Sequence, residues 1–230
     1  MSVPPRPLHF DDATEAADLA AFLARLIHYD RAAAVRLQAA GGTLAVFGRP
    51  PSFEVLAVRT ARLAAPYGDG SGVALDRTVS AGELLESVAE ETGTARVPDA
   101  VTGPPWAGLL PPRGGWRPEP GLPAAAALHS AVTGAVAEFR GRTEALPPER
   151  RTRDELDRIG RQLWSRPVGD TALPLRAVHA AHALRFLRPP APGAEPPTLH
   201  AADNWLRLRT PYGSVAVRRS GLVHLPVTPA

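Results

Sequence analysis

The chain opens on a helical pattern. Between Asp12 and His28, the residues Leu19, Phe22, Leu23, Leu26 and Ile27 recur at three- and four-residue spacing, which puts them on one face of an amphipathic helix. Asp12-Ala13-Thr14-Glu15 has the form of a capping box, able to satisfy the free amides of the first turn. The period then changes. Ala32 to Gln38, Thr43 to Phe47 and Phe53 to Leu63 read as three strands, with Gly41-Gly42 supplying the positive φ of a tight hairpin between the first two. A glycine-rich turn runs from Tyr67 to Gly72. Ser80-Ala81-Gly82-Glu83 is a second capping box and opens a helix to about Thr92, with Leu84, Leu85 and Val88 inward. Residues 1–93 therefore predict helix, three-stranded meander, helix, in which a helix on one sheet face buries both apolar stripes.

Periodicity stops between 94 and 121, where seven prolines and five glycines interrupt regular structure. Trp106 and Trp116 also lie here. Disordered segments are poor in aromatic residues, so the stretch is expected to be an ordered connection pinned to the surface by its two rings.

The helical pattern returns at 122–230. Pro123 to Ala145 carries the stripe Leu128, Val132, Val136 and Phe139. Thr152-Arg153-Asp154-Glu155 caps a helix with Leu156, Ile159 and Leu163 inward and Trp164 at its edge. On that helix Asp154–Arg158 and Asp157–Arg161 have the acid-first i,i+4 order of favourable ion pairs. Leu173 to Leu187 is apolar almost all round, which predicts a buried helix. After a proline-rich connection, Asn204 to Arg209 and Ser214 to Arg219 read as a hairpin around Thr210-Pro211-Tyr212-Gly213, and Leu222 to Val227 as a last strand. The expected class is α+β. The layout is an α/β meander module (1–93), an ordered connection (94–121) and a helical module with C-terminal strands (122–230), with one continuous domain as the alternative if the last strands join the first sheet.

Composition narrows the chemistry. The chain has 230 residues, 44% of them hydrophobic, and no cysteine, which excludes disulfides, thiolate metal sites and cysteine nucleophiles and suits a reducing, cytoplasmic compartment. The segment Met1 to Pro7 lacks the apolar core of a secretory signal, and no apolar run reaches the length of a membrane span. Every cation is arginine. Residues 1–121 carry 11 Arg against 14 acids, and residues 122–230 carry 15 against 9, so the charge shifts from −3 to +6 along the chain. The all-arginine, alanine- and proline-rich composition resembles that of uncharacterised cytoplasmic proteins of actinomycete-type bacteria.

Each candidate constellation has a plainer reading beside it. Tyr67 to Gly72 lacks the following helix and lysine of a phosphate loop, and reads as a turn. Glu83, Glu86, Glu90 and Glu91 read as a solvated face. His179 and His182 share a helix face, yet zinc requires further ligands, and the other histidines, His129 and His200, lie on other segments. No catalytic, cofactor-binding or metal-binding residue is assigned, and no cofactor is expected. The arginines of the second half are the sharper signal. Three helices followed by a hairpin resemble a winged helix-turn-helix, and that resemblance implies nucleic-acid contact through Arg176 on the third helix and Arg207, Arg209, Arg218 and Arg219 on the wing. The acids Glu149, Asp154, Glu155 and Asp157 interleave with neighbouring arginines, a pattern that equally suits internal ion pairing. The helix–meander–helix layout of the first module resembles small chaperone-type binding domains. Exposed tryptophans anchor protein partners, which makes Trp106, Trp116, Trp164 and Trp205 candidate anchors. The leading expectation is a non-enzymatic protein-binding or regulatory protein. Nucleic-acid binding through residues 122–219 is the alternative, and an enzyme of unfamiliar type the third.

Overall fold

Asp12 caps the first helix as its side chain predicts, accepting from the Glu15 amide at 2.9 Å. The computed structural model describes residues 6–68, 73–189 and 193–219. The expected strand Leu222–Val227 and residues 69–72 of the glycine-rich turn lie outside the described residues. In chain order the elements are β1 (Leu8–His9), α1 (Ala13–Tyr29), β2 (Ala34–Gly48), β3 (Leu56–Tyr67), β4 (Val73–Ser80), α2 (Ala81–Ser87), β5 (Val88–Ala89), β6 (Thr94–Ala95), β7 (Arg117–Pro118), α3 (Ala125–Glu144), α4 (Arg153–Trp164), α5 (Leu175–Ala183), β8 (Thr198–Ala202), β9 (Trp205–Thr210) and β10 (Gly213–Arg218). The class is α+β.

The meander is replaced by a larger sheet. Seven strands run in the order β4-β2-β3-β10-β9-β8-β7, and a separate three-stranded ribbon runs β1-β6-β5. Gly41-Gly42 makes no hairpin. β2 continues through both glycines, pairing with β4 along Ala34–Ala40 and with β3 along Gly41–Gly48, with register shifts at the changeover. Gly41 has φ +53°, so the left-handed conformation was read correctly, but it forms a bulge that bends one long strand. The competing partner, β4, begins at Val73.

The second capped helix stops at Ser87 because Val88 and Ala89 pair with Thr94 and Ala95. Glu83 and Glu86 are therefore on α2, while Glu90 and Glu91 are beyond it. The proline-rich connection is not free of regular structure. It contributes β6, β7 and a 3-10 turn at Pro105–Gly108. The helix expected over Leu173–Leu187 is shorter, α5, and Arg185 follows it at φ +62°. On α4, Thr152 caps as expected, but the ion pairs differ. Arg158 forks onto Glu155 at 2.7 and 2.8 Å, and Arg153 faces Asp157 at 3.9 Å, in place of Asp154–Arg158 and Asp157–Arg161. Glu155 wins because the N-terminal turn also brings Arg150 to it.

Period-two alternation gives the sheet two different faces. On the inner face, Val35, Leu37, Leu44, Val46, Ala57, Ala61, Leu206, Leu208, Val215 and Val217 join one core with α1, α3 and α5. α1 packs on β3, α5 on β10, and α3 and α4 against α5. Gly213, at the start of β10, leaves room for the Phe186 ring, which a Cβ would meet at 2.6 Å. Among the described residues Arg59 is the one charged residue that is buried. Its Nη2 reaches Glu15 at 3.2 Å and Asp18 at 3.1 Å on α1, and its Nη1 donates to the Tyr212 carbonyl at 3.0 Å. The guanidinium thereby ties α1 and β3 to the turn between β9 and β10.

Candidate binding site on the outer sheet face

Among the described residues no α-helix covers the outer face. Leu56 of β3, Trp205 of β9 and Ala216 of β10 form a small second cluster, covered by Trp106, Leu110 and Trp116 from the proline-rich segment. This segment, residues 98–116, crosses the sheet as a strap. Its backbone is held at intervals. The Val101 amide donates to the Thr78 carbonyl at 3.0 Å, Arg77 to the Pro98 carbonyl at 3.3 Å, and Arg36 Nη1 to the Ala107 carbonyl. Trp116 Nε1 donates to the Pro112 carbonyl at 2.9 Å, which curls the end of the strap over the sheet. Arg36 also forks onto Asp76 at 2.6 and 2.8 Å, and Gln38 donates to the same carboxylate at 3.0 Å. The hydrogen bond from Arg36 holds the Asp76 carboxyl below its ordinary range.

A proline-rich strap cannot fill a sheet face as a helix does, because it has no continuous apolar stripe. Cavities remain on both sides of it. One, of about 300 Å³, has Leu56, Val55, Trp205 and Ala216 for its floor, Trp106 and Leu109 for one wall, and Arg49, Arg176, Arg218 and Glu54 around it. A second, of about 610 Å³, is lined by Arg36, Gln38, Asp76, Arg113 and Arg207 together with apolar residues such as Phe47, Val58 and Leu110. Two more cavities, lined in part by Ser52 and Glu54, adjoin the first. Ser52 and Glu54 have φ +69° and +52°, left-handed conformations that are uncommon outside glycine and cluster at ligand sites and switches.

The hairpin expected to form a wing lies in the interior of this sheet. β10 sits between β3 and β9, and β9 between β10 and β8, so the hairpin is not a projection. Arg207 is half-buried near the Trp116 ring (5.7 Å to its centroid), and its Nε donates to Ser214 Oγ at 2.9 Å. Arg218 lies over Trp205 at 5.2 Å, and Arg219 pairs with Glu119 at 2.9 Å. Arg209 is exposed two residues along from Arg207, and His200 stands opposite Arg207 on β8. Among the described residues no carboxylate reaches Arg207 or Arg209. Burial, and then the charge of Arg209, push the Arg207 guanidinium below its ordinary value; burial and both arginines do the same to the His200 imidazole. Arg176, at the start of α5, lines the first cavity together with Arg218.

The four tryptophans divide. Trp205 is buried and floors the first cavity; Trp106, Trp116 and Trp164 are half-buried. Trp164 stacks on His179 with centroids 4.4 Å apart, and Phe53 meets the same imidazole edge-on at 5.1 Å. His182 instead meets His129 at 4.8 Å. Burial first, and each neighbouring histidine second, lower both imidazoles. Among the described residues no group of three or more His, Asp or Glu side chains is placed to hold a metal ion, and no helix is long and apolar enough to cross a membrane. Leu109, which sequence reasoning missed, is 55% exposed at the lip of the first cavity. A lone leucine in a proline-rich stretch carries no periodic signal that would have found it.

Two family models match parts of this chain. Residues 3–108 match the family described as Domain of unknown function (DUF8010), and residues 111–222 the family described as Domain of unknown function (DUF8185). The gap between the matches, residues 109–110, falls within the strap and includes Leu109. No curated protein matches the chain.

Proposed function

We propose that the protein is a non-enzymatic, cytoplasmic binding protein that recognises a segment of another protein at the cavity beside Trp106. The observation that carries this reading is the continuity of exposed Leu109 with an apolar cavity of about 300 Å³ rimmed by three arginines and one acid. A scattered surface leucine is ordinary. One that extends a pocket floored by tryptophan is the arrangement in which a partner's side chain becomes a binding anchor. Guanidinium groups stay protonated at neutral pH, so they orient a ligand and exchange no proton with it. The excess of positive charge fits a partner segment that pairs an apolar side chain with an acidic group.

The test is selection of random linear peptides, displayed with free C-termini, on the immobilised full chain. Enriched peptides are expected to bind the Leu109→Ser and Trp106→Ala variants about tenfold more weakly or worse, the scale of an anchor residue. Absence of enrichment, or peptides indifferent to both substitutions, would overturn the reading.

Nucleic-acid binding is the second reading, favoured by Arg207 and Arg209 on the outer face without carboxylate partners among the described residues. It predicts that labelled duplex DNA binds with an affinity falling steeply with salt, as released counterions require. Anisotropy titrations of the parent chain and of an Arg207→Ala, Arg209→Ala double variant decide it; equal affinities would remove these residues from the reading.

A further inference from the structure

We infer that the cavity beside Arg176 is a receptor for a carboxylate joined to an apolar group, as in the C-terminal residue of a peptide. The inference rests on the binding reading above and names its ligand chemistry. Arg176 is the second residue of α5, and its side chain is only 18% exposed. Its Nε is buried without a hydrogen-bond partner. The nearest acid, Glu54, is 3.8 Å from that Nε, beyond hydrogen-bonding reach, and its side chain is 72% exposed. Buried polar groups are nearly always satisfied, so this orphaned N–H, on a residue that also lines the cavity, marks a guanidinium with capacity for a further acceptor. Further positive charge surrounds it. The first turn of α5 has no acidic residue, so the helix dipole adds to the field, although the Leu175 amide is itself capped by the Arg166 carbonyl at 2.8 Å. Arg49 and Arg218 stand at the rim with no carboxylate partner among the described residues.

The same cavity is lined by Leu56, Trp106, Trp205 and Ala216. Cationic donors and apolar surface in one cavity select a ligand that carries both a negative charge and an apolar group. A volume near 300 Å³ is at the small end of ligand pockets, so it admits one residue or a small acid and not a long segment. Glu54 brings its carboxylate to the edge of Arg176 from a left-handed backbone position. A bound acid takes the place that Glu54 only approaches.

Two sources share this chemistry, a peptide C-terminus and a free apolar acid. The experiment titrates the full chain, labelled with ¹⁵N at its tryptophan indoles, with N-acetylphenylalanine, its amide, and 3-phenylpropionate. The acid is expected to shift the Trp106 and Trp205 resonances saturably, with the amide about tenfold weaker, the scale of a charge-assisted contact. Arg176→Gln should abolish the preference for acid over amide, Arg176→Lys should restore part of it, and Glu54→Gln should tighten the acid by removing a competing carboxylate. Equal or weaker binding of phenylpropionate assigns the site to the free acid or to the peptide terminus respectively. If acid and amide bind alike, or neither moves those resonances, the carboxylate receptor is overturned. The binding reading stands or falls separately, on whether peptides are enriched and depend on Leu109.

Discussion

The two faces of the seven-stranded sheet are closed by different means. The inner face meets helices, whose apolar stripes interdigitate with the alternating Val, Leu and Ala of β2, β3, β9 and β10 until almost nothing is exposed. Among the described residues the buried charge there is Arg59, whose Nη atoms are met by two carboxylates and a carbonyl while its Nε, like that of Arg176, is buried without a partner. The outer face meets a strap of about a turn of 3-10 helix and many prolines, which places Trp106, Leu110 and Trp116 as separate pins. Between the pins are cavities, and in or beside them Arg176 and Arg207 lack the carboxylate contacts of hydrogen-bond length that Arg59 has. A face sealed by periodic packing contributes stability. A face closed by a few anchors leaves space and unmatched charge, and that is where recognition has room to occur.

The contrast is open to attack at four points. Arg59→Ala should break the inner face most severely. It leaves Glu15 without its buried partner and weakens Asp18, and the loss is expected at about 3–5 kcal/mol, as for other broken buried pairs; chemical denaturation measures it, and a loss below that of an ordinary surface substitution would contradict the tie between α1 and the β9–β10 turn. Trp116→Ala removes a half-buried pin from the outer face. About 2 kcal/mol is expected, less than a fully buried ring loses, accompanied by faster proteolytic cleavage within 98–116 while the rest of the chain stays resistant. Uniform cleavage throughout would mean the strap is not an independent cover.

A third test lies in the helical layer. Both His179 and His182 have folded-state values lowered from the ordinary 6.5 by burial. Below that value the unfolded chain binds more protons than the folded one, so stability rises with pH through the window just under 6.5 and is lost as pH falls through it. Thermal unfolding between pH 5 and 8, above the range of the lowered carboxylates, should show this, and His179→Phe should flatten the profile. A profile unaltered in that variant would place the dependence elsewhere. The smallest effect on stability belongs to Leu109→Ser, expected within about 0.5 kcal/mol because the side chain is mostly in solvent. A large loss there would mean that Leu109 helps to close the outer face and is no free lip.

Local chemistry was legible residue by residue. The caps at Asp12, Ser80 and Thr152 all accept from the amide three residues on, since a cap depends only on neighbours in the chain. The apolar stripe of α1 and the hairpin β9–β10 were legible for the same reason. Gly41 was read as left-handed and given the wrong role, because hairpin and bulge ask the same φ of a glycine and differ only in which distant strand pairs beside it. The arginines of β9 and β10 could be named but not placed. Alternation says that Arg207 and Arg209 share a face, and says nothing of whether that face is a free wing or the middle of a sheet. Arg176 was named for nucleic acid on the strength of its helix. Its meeting with Trp106, Trp205 and Glu54 joins residues from four separate segments, and no spacing rule connects them.

By itself, then, the sequence determined the α+β class, the helix starts, the facing of each apolar stripe and the ordering of the tryptophan-bearing connection, all of which follow from propensities and periodicities acting over a few residues. Only the tertiary structure decided that β10 pairs with β3 to make one sheet, that the proline-rich segment is its outer cover, and that the Nε of an arginine lining the cavity beside that cover is buried without an acceptor. Those outcomes depend on strand pairing and packing between residues up to about 160 positions apart, as Leu56 with Ala216, and energies of that range are set by the whole fold and not by any stretch of the chain.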